Sequence, residues 1–357
     1  MTTDIKKTST RYEFIDIAKG IGMISIILGH MNFHDMSENN PFVVYVFQYH
    51  VPLFFFISGL FLSHKRSWRR TVAKKAQGLL LPYLVTVIAV LVTLLLFWLV
   101  WATISPPSTF SSLKEFLLSA VWGAGYVNQL MPEGVRAIGA IWFLEALFVA
   151  FIEVYIITGV VQGFLPGLLI TLSLAGASLY LKYICFPPFN ILQGFCGGLY
   201  VYCGYVYRKK YGLKFTSNVY LILLATAITL LAIYRNEYVN LVGPDCYSGI
   251  ALLSSFSSVY LVILLSIKLA DNTSTLARIL EFFGRNSLCI LCIHLWCMDI
   301  GYLVSSIWLN QLLSLPDTHN AVRVTNLMLQ LLTCVIGTKL YVYIGRKKSL
   351  QAGARQT

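Results

Sequence analysis

The sequence predicts an all-α fold, a polytopic transmembrane helical bundle of about ten spans, from three observations. Hydrophobic residues make up 57% of the 357 residues and charged residues only 12%, whereas a soluble domain carries about 25% charged residues. The mean hydropathy is +0.71. Apolar runs recur from Phe14 almost to the C-terminus, and about 20 such residues cross the hydrocarbon core of a bilayer. The runs lack the alternation that a membrane β-barrel requires.

The apolar runs divide the chain into ten predicted spans. They cover 14–33, 42–62, 79–104, 139–160, 163–184, 188–208, 216–234, 248–270, 284–307 and 321–345. Residues 14–345 therefore form one transmembrane domain, between a polar tail at 1–13 and a second tail at 346–357. The first run has no small-residue cleavage site after it, so we interpret it as a retained span rather than a signal peptide.

The positive charges of the connecting loops predict the orientation. Lys and Arg groups precede span one, follow spans two and six, flank the gap between spans eight and nine, and end the chain. These alternate connections fall on one side, which the positive-inside rule makes the cytoplasm. Both termini are therefore expected on the cytoplasmic side of a bacterial-type cytoplasmic membrane. Residues 105–138, with the candidate interfacial helix LKEFLLSAVW, are expected outside. The same clustering accounts for the net charge of +12 without a nucleic-acid partner.

Ionisable residues interrupt four of the spans. Such groups are costly in a membrane and usually face a functional cavity in the bundle interior. Their presence on separate helices suggests one shared polar cavity. They are Asp16, Lys19 and His30 in span one, His50 in span two, Glu145 and Glu153 in span four, and His294 in span nine.

The depths of these residues predict a division of labour. Lys19 and His30 are eleven residues apart, about 16 Å along a helix, so Lys19 lies at the cytoplasmic end and His30 toward the outer face. Span four runs inward, which permits Glu145 to meet His30. A neutral histidine suits the role of general base for a sugar hydroxyl, and a carboxylate could orient it. Basic residues at the cytoplasmic end could hold the phosphates of an acyl donor whose thioester reaches across the bilayer.

Structural alternatives exist for each of these groups. Asp16 and Lys19 are spaced i, i+3 and could simply pair at the membrane boundary. His294 could be a hydrogen-bonded core histidine. Glu153 could lie exposed at the end of its span.

Two patterns resemble metal sites, and we interpret neither as one. His30 and His34 have the i, i+4 spacing that metal sites use, but His34 lies in a polar loop. A cysteine cluster near His294 is more simply a set of small apolar residues in a membrane helix, and no disulfide framework is implied. Its members are Cys289, Cys292 and Cys297.

Five motifs, in this order, resemble the acyltransferase-3 family over most of the chain. FIDIAKGIGMISIILGH resembles the first-helix signature, a basic residue and a histidine separated by ten residues, which Lys19 and His30 match. YHVPLFFFISGLF and RRTVAKKAQGLLLPY resemble the second-helix motif and the basic start of the third helix. IWFLEALF and GRNSLCILCIHL resemble later segments. The nearest branch is that of the fucose 4-O-acetylases.

The resemblance implies transfer of an acyl group, usually acetyl, from cytoplasmic acetyl-CoA to a hydroxyl of an extracytoplasmic or lipid-linked carbohydrate. It makes His30 the expected catalytic base, with Glu145, His50 and His294 assisting. No metal is expected. The partners would be the acyl-CoA, the carbohydrate acceptor and membrane lipid. The positions implied for substrate and donor binding are Asp16, Lys19, Arg70, Lys74, Lys75, Trp142, Asn286 and Ser58.

The sequence departs from the family pattern in two respects. Position 19 is lysine where arginine is commoner, and lysine cannot form a forked contact to phosphate. No second domain is predicted after the last span, so either the membrane domain acylates its acceptor directly or a separate partner completes the transfer. The main alternative function is a transporter or flippase for a lipid-linked glycan, which would also need buried charges. A membrane sensor or structural protein is a third possibility.

Overall fold

Helices account for most of the described chain. A computed structural model describes residues 7–8, 11–30, 40–100, 110–127, 129–243, 248–272, 274–298 and 320–354. Two short strands, β1 (Lys7–Thr8) and β2 (Arg11–Tyr12), pair antiparallel before the first helix. The helices are α1 (Glu13–His30), α2 (Pro41–Leu60), α3 (Trp68–Val100), α4 (Leu113–Trp122), α5 (Trp142–Val160), α6 (Phe164–Leu181), α7 (Ile191–Tyr211), α8 (Val219–Tyr234), α9 (Gly249–Ala270), α10 (Thr275–Arg285), α11 (Ser287–Trp296) and α12 (Asn320–Ala354).

The all-α transmembrane prediction is confirmed, and each predicted span coincides with a helix at least in part. The candidate interfacial helix is α4, which begins at a Ser112 cap and ends at Gly123 in the left-handed conformation. The structure differs at span three, where the basic lead-in is continuous with the apolar helix from Trp68. It also differs at span nine, where the chain breaks at Asn286 between α10 and α11. The 299–307 part of that span and His34 lie outside the described residues.

Six described helices are long and apolar enough to cross a membrane by themselves, fewer than the ten spans predicted. The remaining candidates are too short or too polar to meet the same description. For example, α1 carries three charged residues, while α8 and α11 are apolar but shorter. The six segments are Pro41–Leu60, Trp68–Leu96, Gly139–Val160, Phe164–Leu181, Gly249–Ala270 and Val324–Ile344.

Glycines let two pairs of helices approach backbone to backbone. A Cβ at Gly59 of α2 would overlap the carbonyl oxygen of Val201 on α7, and a Cβ at Gly204 of α7 would overlap that of Phe56 on α2. The same reciprocal arrangement joins α1 to α10 through Gly20 and Gly284. Inside lipid there is no hydrophobic driving force between helices, so the close packing that small residues permit holds them together. The packing fixes α1, α2 and α7 around one core.

Contacts between connecting segments define two opposite ends of the bundle. At the end where α2 leads into α3, Tyr155 Oη on α5 donates to the carbonyl of Arg66 at 3.3 Å. At the end where α4 follows α3, Trp122 Nε1 donates to the carbonyl of Phe186 at 3.0 Å. We call the first the basic end, after the Lys and Arg residues between α2 and α3, and the second the histidine end, because α1 finishes there at His30.

Candidate active site

A pocket between the helices at the histidine end contains two of the predicted catalytic histidines. It encloses about 500 Å³ of empty space, counting the part open to the outside. His30 from the end of α1 and His50 from the middle of α2 line it together with Trp142 at the start of α5. Aromatic and aliphatic side chains form most of the remaining wall. They are Ile26, Phe47, Val51, Ala140, Phe143, Val239, Leu241, Val242 and Leu291, with Asn240 as a further polar member.

The backbone fixes the orientation of both pocket histidines. His30 Nδ1 lies 2.8 Å from the carbonyl of Ile26, and His50 Nδ1 lies 2.9 Å from the carbonyl of Val46. A carbonyl only accepts hydrogen bonds, so in each ring Nδ1 carries the proton. In the neutral imidazole this leaves Nε2 with the lone pair, which is the form a general base requires.

His294 on α11 meets His30 edge to face. Their ring centroids are 5.9 Å apart and the ring planes are inclined by 79°. His294 is fully buried, and among the described residues neither of its ring nitrogens has a hydrogen-bond partner. Buried polar atoms without partners are uncommon and call for an explanation such as a bound molecule or a catalytic role. Within the described residues, His294 is therefore not the hydrogen-bonded core histidine that was considered as an alternative.

A tight turn delivers Trp142 to the pocket. Gly139, with φ of 72°, begins a single 3₁₀ turn that leads directly into α5. A Cβ at Gly125 would overlap the Trp142 indole, so only glycine permits this close approach. The indole is 5% exposed, and its flat apolar face suits contact with a sugar ring.

Glu145, one turn along α5 from Trp142, is held by a residue that the sequence prediction missed. Asn190 Nδ2 donates to Glu145 Oε2 at 2.8 Å and also to the carbonyl of Gly123 at 2.8 Å. Within the described residues Glu145 makes no hydrogen bond to His30. The predicted partnership between His30 and Glu145 thus remains a prediction, and the observed partner of the carboxylate is Asn190.

A second, larger cavity lies at the basic end. It encloses about 1120 Å³ of empty space, counting the part open to the outside. Lys74 and Lys75 of α3, two of the residues predicted to bind the donor, line it. Lys75 Nζ donates to Ser58 Oγ at 3.3 Å and lies 4.0 Å from the centre of the Phe151 ring. Sequence reasoning did not select four further polar residues of the wall, although its positive-loop pattern contained the two basic ones. They are Ser63, Lys65, Arg66 and Thr71.

The other predicted donor-binding residues lie elsewhere at that end. Lys19 Nζ pairs with Asp16 Oδ1 at 2.8 Å, and Arg285 Nε lies 3.7 Å from Asp16 Oδ2. Asn286 donates through Nδ2 to the carbonyl of Phe282 at 2.8 Å and occupies the break between α10 and α11. Arg70 is exposed and does not line the cavity. The i, i+3 pairing considered from the sequence is therefore observed.

Glu153 is buried rather than exposed. It is 6% exposed, and neither carboxylate oxygen has a hydrogen-bond partner within the described residues. The carboxylate packs against Gly198 of α7, where a Cβ would overlap it. In the part of the chain that the structure describes, no group of three or more His, Cys, Asp or Glu residues is arranged to hold a metal ion.

The apolar helices and the enclosed histidine pocket define an integral membrane protein with a polar site inside its bundle. Comparison with known families identifies the class further. The protein-family model described as "Acyltransferase domain" matches residues 12–344. The chain belongs to this family, acyltransferase-3, so the expectation drawn from the motifs is confirmed at the level of the family.

One curated relative is also similar in sequence. The nodulation protein NolL of Mesorhizobium japonicum is 27% identical over 162 residues, which are 42% of this chain and 37% of the relative. The match thus spans less than half of that protein's length. No solved structure matches the chain.

Proposed function

We propose that the protein is an O-acyltransferase that moves an acetyl group from acetyl-CoA, bound at the basic end, to a carbohydrate hydroxyl in the histidine pocket. The observation that carries the proposal is the pairing of two cavities along the same helices. His50 and Ser58 are eight residues apart on α2, about 12 Å along the axis. His50 lines the histidine pocket, and Ser58 contacts Lys75 of the basic cavity.

The basic cavity suits the phosphates of coenzyme A. Four basic side chains surround it, namely Lys65, Arg66, Lys74 and Lys75. Phosphate oxygens accept charge-assisted hydrogen bonds from ammonium and guanidinium groups, and Arg66 supplies the planar donor set that Lys19 lacks. With both termini in the cytoplasm, as the loop charges favour, this cavity would face the cytoplasmic acetyl-CoA pool.

The chemistry assigns His30 the role of general base. Its Nε2 removes the proton from the acceptor hydroxyl as the oxygen attacks the thioester carbonyl carbon. The new C–O ester bond forms, the C–S bond breaks, and coenzyme A leaves as a thiolate that takes up a proton. A positioned base of this kind contributes about 10²–10⁴-fold in rate. His50 lines the same pocket and His294 packs against the His30 ring, so both would support the base.

The proposal is tested with purified protein in liposomes, acetyl-CoA labelled in the acetyl group, and methyl α-L-fucopyranoside as acceptor. Labelled ester and free coenzyme A should appear in equal amounts. A transporter would instead move a glycan without releasing coenzyme A. Folded protein that releases no coenzyme A and forms no ester would contradict the proposed function.

A further inference from the structure

The wall of the histidine pocket that faces the end of α8 is a connecting segment rather than a helix. Val239, Asn240, Leu241 and Val242 all line the pocket. Val239 and Leu241 are each 3% exposed and belong to the main core. We call residues 238–243 the pocket wall. A loop this deeply buried must have its backbone polar groups satisfied.

A buried lysine satisfies two of these groups. Lys182, directly after α6, is 0% exposed, and its Nζ donates to the carbonyls of Leu241 at 2.9 Å and Gly243 at 3.1 Å. Gln193 of α7, 1% exposed, donates to the intervening carbonyl of Val242 at 3.4 Å. Burying an ammonium group is costly unless it is well paired. The position of the pocket wall therefore depends on side chains from two helices that do not line the pocket.

Hydrogen bonds at the protein surface hold the residue that directly precedes the pocket wall. Arg235 Nε donates to Glu237 Oε1 at 2.7 Å, and Ser248, the cap of α9, donates to Glu237 Oε2. These hydrogen bonds, that from Ser248 first, hold the pKa of Glu237 below its ordinary value. Tyr238 packs against Phe47, with ring centroids 5.4 Å apart, and Phe47 itself lines the pocket.

Asn240 is the polar side chain that this wall contributes to the pocket. Its Oδ1 accepts from the backbone N–H groups of Val242 at 3.1 Å and Gly243 at 3.3 Å, which fixes the amide plane. Its Nδ2 makes no hydrogen bond within the described residues. An amide held in this way offers two N–H donors to a bound molecule, and sugar hydroxyls accept such bonds.

We propose that the pocket wall recognises the acceptor, with Asn240 donating a hydrogen bond to an acceptor hydroxyl and Lys182 acting as a positioning residue that holds the wall. This rests on the proposed acyl transfer. The wall does not supply the base and lies away from the Lys75 cavity. Its loss should therefore weaken acceptor binding while the chemical step and the donor site are preserved.

The test measures transfer rates against the concentration of methyl α-L-fucopyranoside and, separately, of acetyl-CoA. Asn240→Ala should raise the KM for the glycoside about 2- to 12-fold, the range for one neutral hydrogen bond. Both kcat and the KM for acetyl-CoA should stay within about twofold of wild type. Lys182→Met should raise the same KM further, because the whole wall is released. Gln193→Ala provides a milder variant should Lys182→Met fail to fold.

Two exposed residues from the opposite end of α9 serve as matched controls. Asn272→Ala and Lys268→Met remove the same side-chain types outside both cavities and should leave all three constants unchanged. An unchanged glycoside KM in folded Asn240→Ala and Gln193→Ala proteins, with wild type active, would overturn the role of the wall alone. A folded wild-type protein that transfers no acetyl group would overturn the proposed function, and the recognition role with it.

Discussion

Two pocket histidines each use one ring nitrogen to bond the carbonyl of the preceding helical turn. The bonds from His30 to Ile26 and from His50 to Val46 remove rotational freedom from both rings. They also place the lone pair on Nε2. Substitutions at these positions are therefore expected to change chemistry as well as packing, whereas His64, bonded to Thr158 at 2.9 Å, lines neither cavity.

Glu145 is expected to have a structural role that a neutral amide can fill. Glu145→Gln keeps an oxygen that can accept from Asn190, so transfer per folded molecule should stay within about tenfold of wild type, less than the loss from a general base. Glu145→Ala leaves one buried N–H of Asn190 unpaired, which costs about 1–3 kcal/mol. It should lower the midpoint of thermal unfolding in detergent. If folded Glu145→Gln protein lost transfer as completely as His30→Ala, the carboxylate would instead act in the reaction.

Part of the candidate site could be predicted from sequence, namely the part formed by ionisable residues within recognisable motifs. The Lys19–His30 spacing and the polar residues of spans two and nine identified three histidines that lie close together in the fold, since His30 and His50 line one pocket and His294 packs against His30. Asn190 and Lys182 could not be predicted in this way, because their roles depend on backbone carbonyls that only the folded chain places beside them. A lysine near a span end has the same sequence signal whether it reaches water or bonds a loop.

At the level of elements, α3 joins the basic cavity to the membrane. Its first turns carry Lys74 and Lys75, and the helix continues unbroken into an apolar stretch. The apolar run placed the start of span three at residue 79, because polarity, not helicity, changes there. Span nine shows the reverse case. Its predicted start at residue 284 lies in α10, which ends at Arg285, and a separate helix, α11, begins at Ser287. The side chain of Asn286, between the two helices, bonds the carbonyl of Phe282.

Neutralising the basic cavity should affect the donor alone. A Lys74→Met, Lys75→Met double variant removes two positive charges from the wall. A charged hydrogen bond is worth about 1.5–3 kcal/mol, so the loss of even one should raise the KM for acetyl-CoA by at least about tenfold. The KM for the glycoside should not change. Initial rates in liposomes measure both constants.

A matched double variant, Lys214→Met with Lys268→Met, removes two exposed lysines that do not line the cavity. Its constants should equal those of wild type. An unchanged acetyl-CoA constant in the folded Lys74, Lys75 variant would refute the donor assignment for these residues.

For the whole molecule, the two ends of the bundle should face different compartments. The long connection that contains α4 is expected outside, and the loop between α2 and α3 inside. In a background with both Cys185 and Cys246 replaced by serine, Lys114→Cys in intact cells should react with a membrane-impermeant maleimide, whereas Lys65→Cys should react only after the membrane is opened. The reverse pattern would invert the orientation and place the basic cavity away from cytoplasmic acetyl-CoA.

The central claim is that His30 is the base of an acetyl transfer inside the membrane domain. The most direct measurement is acetyl transfer per folded molecule by His30→Ala protein, with folding checked by size exclusion and thermal shift and with His64→Ala as the control. Transfer should fall by about 10²–10⁴-fold while acetyl-CoA still binds, and His64→Ala should retain wild-type activity. Near wild-type transfer by folded His30→Ala protein would contradict the mechanism.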